Sequence, residues 1–229
     1  MDGGRLFRDR EDAGRRLAER LSGYRDEDPV VLALPRGGVP VAYEISLSLG
    51  APLDVFIARK LGAPGREEFG IGAVAQGGVR VLNEDAVREL GISEGYIERI
   101  AKKETEEIGR RLVLLRGDRP EPEVGGRTAI LVDDGLATGV TARAAVEAIR
   151  RRNPRRLVLA VPVCAAQTAK TLRSAVDELA CLEAPADLMA ISFWYEDFYQ
   201  VPDEEVVGLL ERAKLEHDEH DVTGPEGRA

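Results

Sequence analysis

Histidine is almost absent from this chain of 229 residues. Its two histidines, His217 and His220, both lie in the acidic segment E-H-D-E-H-D near the C-terminus. The lack of histidine between Met1 and Glu216 excludes a Ser-His-Asp triad and a histidine-ligated catalytic zinc from that part of the chain. The spacing of the two histidines suits a metal ion, but the acidic composition around them favours a solvated, disordered tail over residues 215–229.

Cysteine, long apolar runs and excess positive charge are also lacking. The two cysteines, Cys164 and Cys181, make no disulfide framework, which favours a reducing, cytoplasmic compartment. Each lies in or beside an apolar segment, so we expect both to be buried. No apolar run approaches the ~18 residues of a membrane-spanning helix, and the charged N-terminus has no apolar signal core. The net charge of −9 argues against binding to nucleic acids or anionic membranes.

Short apolar segments that alternate with helical patterns predict an α/β fold with a doubly wound, mostly parallel sheet. We expect a single domain over residues 1–214. The predicted strands are Pro29 to Leu34, Leu53 to Ala58, Ala129 to Val132, Arg156 to Val163, Leu179 to Leu182 and Leu188 to Phe193. The predicted helices are Asp9 to Leu21, a helix ending near Leu49, Ser93 to Leu115, Ala142 to Arg152, Gln167 to Val176 and Asp203 to Lys214.

The residues after the second strand predict a loop followed by a hairpin. Leu61 to Gly70 is rich in glycine, proline and charge, which is typical of an exposed loop. The segments Gly72 to Ala75 and Val79 to Leu82 flank Gly77 and Gly78, and this arrangement indicates a β-hairpin.

The stretch from Ala129 to Thr141, A-I-L-V-D-D-G-L-A-T-G-V-T, is the most informative in the chain. An apolar strand ends in Asp133 and Asp134, and a loop of small residues leads into a helix. The backbone N–H groups of such a turn and the dipole of the following helix favour a phosphate. The two acids suit hydroxyl groups, or a cation, beside that phosphate. These features together predict a sugar-phosphate site.

Two further loops follow predicted strands. The turn Pro35-Arg36-Gly37-Gly38 comes after the first strand, where glycines let the backbone approach an anion and an arginine pairs with phosphate oxygens. Arg59 and Lys60 end the second strand, where buried unpaired cations would be costly. They are either a solvated strand end or a clamp for pyrophosphate. Because parallel sheets bind ligands beyond the carboxyl ends of their strands, we expect all three loops at one edge.

The acidic pair and its loop resemble the ribose-phosphate signature of type I phosphoribosyltransferases. Other segments are similar to a bacterial branch of unassigned acceptor: D-R-E-D-A-G, L-P-R-G-G-V-P, R-K-L-G-A-P-G-R-E-E-F-G-I-G-A-V and D-F-Y-Q-V-P-D-E-E-V. The resemblance implies that Asp133 and Asp134 bind the ribose hydroxyls of phosphoribosyl pyrophosphate (PRPP). The residues implied for the ribose 5-phosphate are Gly135, Leu136, Ala137, Thr138, Gly139, Val140 and Thr141, and those for the pyrophosphate are Arg36, Gly37, Gly38, Arg59 and Lys60.

The function implied by the resemblance is transfer of ribose 5-phosphate between PRPP and a nitrogenous base, with release of pyrophosphate. Catalysis would rest on Arg36, Arg59, Lys60, Asp133 and Asp134, and Mg²⁺ would be held mainly through PRPP. The family also implies a flexible lid over about residues 61–80, a small cap over about residues 185–202 and a homodimer. In related enzymes a late segment stacks on the acceptor base. Phe193, Trp194 and Tyr195 are candidates for that contact, although ordinary packing explains these aromatic residues equally well.

Alternative functions remain open. Some proteins of this fold bind PRPP or nucleotides without turnover and regulate transcription or RNA, but the chain shows neither a DNA-reading element nor a basic face. Phosphohydrolases that form an aspartyl phosphate need alternating acids, whereas this strand ends in D-D-G. Ala137 bears on the acceptor, because enzymes that salvage 6-oxopurines typically have aspartate at that position. The acceptor base therefore stays open.

Overall fold

The computed structural model describes residues 6–223, and the side-chain environments of residues 6–219. The helices of this part are α1 (Arg10–Leu21), α2 (Gly38–Leu49), α3 (Glu84–Glu89), α4 (Glu94–Arg116), α5 (Val140–Arg150), α6 (Ala166–Leu172) and α7 (Asp203–Thr223). The strands are β1 (Pro29–Ala33), β2 (Leu53–Val55), β3 (Ala58–Ala63), β4 (Arg66–Ala75), β5 (Arg80–Leu82), β6 (Thr128–Val132), β7 (Arg156–Val163) and β8 (Glu178–Glu183).

The central sheet has five parallel strands in the order β2-β1-β6-β7-β8, which confirms the predicted doubly wound α/β fold. From β1 the chain continues outward to β2, whereas from β6 it continues in the opposite direction to β7 and β8. The strand order therefore reverses between β1 and β6. The loops that follow these two strands flank the crevice in which open α/β sheets bind ligands.

The core lies on both faces of this sheet because each central strand is buried on two sides. In β6, Ile130 and Val132 pack with residues of α1, α2 and α7, whereas Ala129 and Leu131 pack with residues of α5 and α6. Such strands read as continuous apolar runs rather than as alternating patterns. This is why the strand segments could be recognised in the sequence.

The hairpin segment differs from its prediction. Strands β3, β4 and β5 form a separate antiparallel sheet, and residues 61–70 belong largely to β3 and β4 rather than to a loop, although residues 64–69 are exposed as expected. Leu61 is fully buried, and the turn between the two strands lies at Pro64 and Gly65. The close approach of the strands requires glycine, because a Cβ on Gly62 would lie 2.6 Å from the carbonyl oxygen of Glu67. The turn at Gly77 and Gly78 is confirmed.

Other element boundaries also needed correction. The predicted second strand is interrupted at Phe56 and Ile57, so that its first half belongs to the parallel sheet and its last residue to the hairpin sheet. The segment Leu188 to Phe193 is not a strand, since residues Ile191–Trp194 form a short 3₁₀ helix. The helix α6 ends at Leu172 instead of Val176, and α3 had not been predicted.

The C-terminal helix α7 continues beyond Lys214 to Thr223, so residues 215–223 are helical rather than a disordered tail. Packing on α2 explains the difference. The Tyr43 hydroxyl donates to Oε1 of Glu216 at 3.2 Å, and the guanidinium of Arg212 lies 5.2 Å from the centre of the Tyr43 ring. Residues 224–229, which belong to the predicted tail, lie outside the described residues. Within the described part, no helix has the length and apolar character that a membrane crossing would require.

Candidate functional site

Two adjacent carboxylates stand at the carboxyl end of β6. The backbone N–H of Asp134 donates to Oδ1 of Asp133 at 2.9 Å. The side chain of Asp134 is only 13% exposed, and its Oδ2 accepts a hydrogen bond from Nε of Arg10 at 2.8 Å. The structure therefore supplies two oxygen acceptors at the switch point, one of them paired with a cation.

Burial raises the pKa of both carboxyl groups. For Asp133 the neighbouring charge of Asp134 adds to burial, and the pKa lies well above the ordinary range of aspartate. For Asp134 the guanidinium of Arg10 opposes the effect of burial on the pKa. Asp134 thus keeps its charge more readily, and Asp133 is the member of the pair that holds a proton at higher pH.

The loop after β1 lies directly against the acidic pair. A Cβ on Gly37 would overlap the carboxylate of Asp134, and a Cβ on Gly38 would lie 2.7 Å from the carbonyl oxygen of Val132. Glycine is therefore required here by close approach and not by an unusual backbone conformation, because Gly37 adopts the ordinary helical region. The predicted proximity of the two loops is observed.

Arg36, in the same loop, follows a cis peptide bond after Pro35. Its Nη1 lies 3.9 Å from Oδ1 of Asp203 at the start of α7. Arg111 of α4 binds the same carboxylate oxygen at 2.8 Å. Arg36 is half-buried at the crevice, and a single carboxylate connects it to two helices of the framework.

The loop after β6 has the form expected of a phosphate site. Gly139, with φ of 65°, precedes the first residue of α5, and its left-handed conformation favours glycine. Ala137 and Thr138 are exposed, whereas Gly139 is covered by Thr168 of α6. The hydroxyl of Thr168 donates to the carbonyl oxygen of Ala137 at 2.5 Å. The loop is thus held from one side, and its exposed residues lead into a helix N-terminus that favours anions.

Arg59 and Lys60 point in different directions because they are neighbours on β3. Nε of Arg59 donates to Oε2 of Glu104 on α4 at 2.7 Å, so Arg59 lies against the helix. Nζ of Lys60 donates to the carbonyl oxygen of Glu68 at 2.9 Å and to its Oε2 at 3.2 Å. Lys60, and not Arg59, lines the cleft that also contacts Thr138 and Gly139 in the loop after β6.

A cleft of about 820 Å³ separates the hairpin from the phosphate loop. On the hairpin side it is lined by residues that include Lys60 and Phe69, and on the opposite side by Thr138, Gly139 and Arg143. Arg143, exposed on the first turn of α5, was not among the predicted site residues. The cleft brings a lysine and an arginine to the anion-binding end of α5.

The aromatic residues of the cap differ in their surroundings. Phe193 is 61% exposed, whereas Tyr195 is 1% exposed, with its ring centre 5.3 Å from that of Phe7 and 5.0 Å from that of Phe198. The Tyr195 hydroxyl donates to the carbonyl oxygen of Asp134 at 2.6 Å. A ring enclosed in this way has no open face for a base. Tyr195 is therefore a structural residue of the cap, and the prediction that it contacts the acceptor needs correction.

The most important residue that the sequence interpretation missed is Arg10. It lies 124 positions from Asp134 along the chain, and its side chain is 6% exposed. The segment D-R-E-D-A-G, which contains Arg10, is part of the family resemblance, but the sequence alone predicts no role for Arg10. Asp9 in that segment forms the N-cap of α1, which places Arg10 in the first turn.

The predictions for cysteine and metal sites can be compared with the described residues. Cys164 and Cys181 are both buried, as expected, and burial raises the pKa of the Cys164 thiol to about 12. Within residues 6–219, no group of three or more His, Cys, Asp or Glu side chains could hold a metal ion.

The comparisons with known proteins agree with this geometry. The sequence matches the family described as phosphoribosyl transferase domain over residues 5–196. The chain belongs to the phosphoribosyl transferase family. A protein of Mycobacterium tuberculosis (strain ATCC 25618 / H37Rv), named "Putative phosphoribosyl transferase Rv0571c", is 44% identical over 209 residues, which cover 91% of this chain and 47% of that protein. This chain thus spans about half the length of that relative.

A solved structure is also similar over most of the chain. The crystal structure of TT1426 from Thermus thermophilus superposes with a TM-score of 0.77 at 43% sequence identity, and the match covers 90% of this chain and 98% of that one. The similarity therefore extends over nearly the whole of both chains.

The raised pKa of Asp133 predicts how stability depends on pH. Above the unfolded pKa of about 3.9, the unfolded chain releases this proton while the folded chain keeps it, so stability falls as pH rises until the folded carboxyl ionises. Asp133→Asn removes this loss. We expect equal unfolding free energies for wild type and variant below the unfolded pKa, and a growing advantage for the variant above it. Urea denaturation at several pH values would measure this difference, and a pH-independent difference would contradict the assignment.

Proposed function

We propose that this protein is a phosphoribosyltransferase that transfers ribose 5-phosphate between PRPP and a nitrogenous base. One observation carries the proposal: the acidic pair, the Gly37-Gly38 turn and the N-terminus of α5 meet at the point where the strand order reverses. Two carboxylates suit vicinal hydroxyls, and the two glycine loops on either side suit two phosphate groups. PRPP carries these groups in the same arrangement along one molecule.

In the proposed reaction the bond between ribose C1 and the pyrophosphate oxygen breaks, and pyrophosphate leaves with the electron pair. A bond forms between C1 and a nitrogen of the acceptor, which then loses its proton. This reaction needs no covalent nucleophile from the protein. Its contribution is to orient the ribose through Asp133 and Asp134 and to stabilise the charge of the leaving group through Arg36, Arg59 and Lys60.

Mg²⁺ belongs to this proposal as a partner of PRPP. Mg²⁺ is commonly bound through one or two carboxylates together with substrate phosphates rather than by a cage of protein ligands. In this proposal the ion is held mainly through the phosphates of PRPP, and Asp133 and Asp134 are assigned to the ribose hydroxyls. When bound, the ion would neutralise charge on the departing pyrophosphate.

The hairpin is proposed as the lid of this site. In the structure the three cations proposed for the pyrophosphate are held by protein carboxylates or lie near them: Lys60 by Glu68, Arg59 by Glu104, and Arg36, across the crevice, near Asp203. Pyrophosphate would compete with these carboxylates for the same cations. Closure would exclude water, which otherwise captures the activated sugar.

The decisive experiment measures pyrophosphate release from PRPP and Mg²⁺ in the presence of each nucleobase of a full panel. Release that requires one base, together with formation of the matching nucleotide, is the expected result. Tight PRPP binding without turnover on any base would instead favour the non-catalytic regulatory alternative. Absence of PRPP binding would reject both functions.

The cap allows a sharper test of the acceptor site. Phe193→Ala is expected to raise the KM for the base on the order of 10-fold, since stacking on a base contributes about 1–3 kcal/mol, and to leave the KM for PRPP unchanged. Tyr195→Phe should lower the unfolding free energy by about 1 kcal/mol through loss of the hydrogen bond to Asp134, with the KM for the base unaltered. Steady-state kinetics and urea denaturation separate these effects. Equal changes in the KM for the base and in stability for both variants would contradict the assignment of Phe193 to base binding and of Tyr195 to cap stability.

The remaining expectations complete the proposal. PRPP and a nitrogenous base are the proposed partners, with no role for nucleic acid or membranes, and a homodimer in the cytoplasm is the expected form. A single domain suits this assignment, and its last helix packs on α2 through Glu216, beyond the predicted boundary at residue 214. Sedimentation would establish the oligomeric state.

A further inference from the structure

A buried arginine connects the N-terminal segment to the acidic pair. Arg10 opens α1 and is 6% exposed. Its Nε donates to Oδ2 of Asp134 at 2.8 Å, and its Nη1 donates to the carbonyl oxygen of Tyr199 at 2.8 Å. Its guanidinium also lies 3.9 Å from the centre of the Phe198 ring, within the range of a cation–π interaction. One side chain therefore joins α1, the end of β6 and the cap.

The cap and the N-terminal segment are themselves paired. The N–H groups of Leu6 and Phe7 both donate to the carbonyl oxygen of Trp194, at 3.1 and 2.9 Å, and the N–H of Glu196 donates to the carbonyl oxygen of Phe7 at 2.8 Å. The Tyr195 hydroxyl reaches the backbone of Asp134 from the same unit. Both the side chain and the backbone of Asp134 are thus held by residues outside the loop in which it lies.

We infer that Arg10 is a positioning residue of the ribose site, which holds the Asp134 carboxylate in one orientation for the hydroxyl groups of the ligand. This inference rests on the proposed function for the identity of the ligand, PRPP. A carboxylate has about four acceptor positions, so the bond to Arg10 leaves acceptor capacity for a hydroxyl. The planar guanidinium, with its several donors in fixed directions, can fix one oxygen of Asp134 while it is itself anchored at Tyr199 and Phe198.

Stability alone does not account for this arrangement. Burying an ion pair is often no more favourable than filling the same space with apolar side chains. The guanidinium of Arg10 lies 3.9 Å from the centre of the Phe198 ring and 5.8 Å from that of Tyr199, surroundings that also suit an apolar side chain such as methionine. A cation at this position instead opposes the effect of burial on the pKa of Asp134 and favours its ionised form, in which both oxygens accept hydrogen bonds.

The charged and titratable groups around Asp134 are few, which makes its titration interpretable. Asp133 lies beside it, Arg10 reaches it from α1 and the Tyr195 hydroxyl from the cap. The loop after β1 contributes the uncharged Gly37, and Arg36 in that loop is directed to Asp203. Removing Arg10 withdraws the nearby cation from the acidic pair.

The test compares Arg10→Met with Arg10→Lys and with a matched control, Arg16→Met. Arg16 lies on the same helix, is paired with Asp12 at 2.9 Å and has its guanidinium 5.4 Å from the Phe7 ring centre, but it has no bond to Asp134. Three quantities are measured for each variant: PRPP affinity by calorimetry, the unfolding midpoint, and the titration of the Asp134 carboxyl carbon by NMR in the absence of ligand.

We expect Arg10→Met to weaken PRPP binding on the order of 10- to 100-fold, as misplaced binding groups do, and to move the Asp134 titration to higher pH. Arg10→Lys should have an intermediate PRPP affinity and an intermediate pKa of Asp134, because lysine restores the charge without the planar geometry. Arg16→Met should change neither the PRPP affinity nor the Asp134 titration. Were Arg10→Met too unstable to fold, the Arg10→Lys variant would carry the test through its intermediate affinity.

The possible outcomes separate this inference from the proposed function. PRPP affinity at the wild-type level in Arg10→Met, or an unmoved Asp134 titration, would overturn the inference while leaving the proposed function in place. If the wild-type protein does not bind PRPP, the proposed function fails, and the inference about Arg10 is then tested by the NMR titration alone. A shifted titration then supports Arg10 as the residue that holds the Asp134 carboxylate, and an unshifted one overturns the inference.

Discussion

Asp133→Asn is expected to weaken PRPP binding strongly and to leave the fold intact. The substitution replaces a carboxyl group that can ionise by an amide that cannot, and each hydrogen bond to a charged group contributes about 1.5–3 kcal/mol. Because Asp134 remains available to the ribose, loss of the Asp133 bond corresponds to a decrease in affinity of roughly 10- to 100-fold. The asparagine oxygen can still accept from the N–H of Asp134, so the loop conformation should persist. Calorimetry with PRPP and Mg²⁺ measures the effect.

The control for this experiment is Asp26→Asn. Asp26 is exposed and precedes β1, at the edge of the sheet opposite to the site. Its substitution should leave PRPP affinity unchanged. Unaltered affinity in Asp133→Asn would reject the assignment of this acid to the ribose hydroxyls.

The structure shows why the two acids must be tested one at a time. Asp134→Asn would also weaken ligand binding, but it leaves the buried guanidinium of Arg10 without its anion. Removing one member of a buried pair costs about 3–5 kcal/mol. The double variant therefore mixes a binding defect with a stability defect, whereas Asp133→Asn isolates the binding defect.

Gly37→Ala is expected to have the second large effect. The added methyl group would overlap the Asp134 carboxylate, so either the loop after β1 or the acidic pair must move. Overpacking of this kind costs about 1–3 kcal/mol, and displacement of either group separates the two halves of the proposed site. We expect a lower urea midpoint together with loss of measurable PRPP binding.

The control for Gly37→Ala is Gly109→Ala, for which we expect a gain in stability and no change in binding. Gly109 lies inside α4, and a Cβ there would meet no atom within 4 Å. Gly109→Ala should raise stability by about 0.5–1 kcal/mol and leave PRPP binding unchanged. If Gly37→Ala behaved in the same way, the close packing of the loop against Asp134 would not be a requirement of the site.

Much of the framework was predictable because its signals are local. The strand Arg156 to Val163 was predicted with the observed bounds, and the long helix from Ser93 was predicted to within a residue at each end. Continuous apolar runs mark strands that are buried on both faces, and Ser93 caps its helix through a bond to the N–H of Tyr96. These features depend on neighbours in the sequence.

The hairpin and the end of α7 were not predictable in the same way. Residues 61–70 are rich in glycine and charge, and they form strands because β3 and β4 satisfy each other's backbone groups and pack between helices. The segment after Lys214 has the composition of a disordered tail. It is helical because it packs on α2, where the Tyr43 hydroxyl donates to Glu216. In both cases long-range contacts override local composition.

The α/β class, the acidic pair, the glycine turns and the expectation that they share one edge of the sheet follow from the sequence alone. Strand ends and turn residues impose these features through short-range chemistry. The packing of the folded chain was needed to show that Arg10 holds Asp134, that Tyr195 is enclosed in the cap, and that Lys60 rather than Arg59 lines the cleft beside the loop after β6. These contacts join side chains from distant segments, and the spacing of residues along the chain does not predict them.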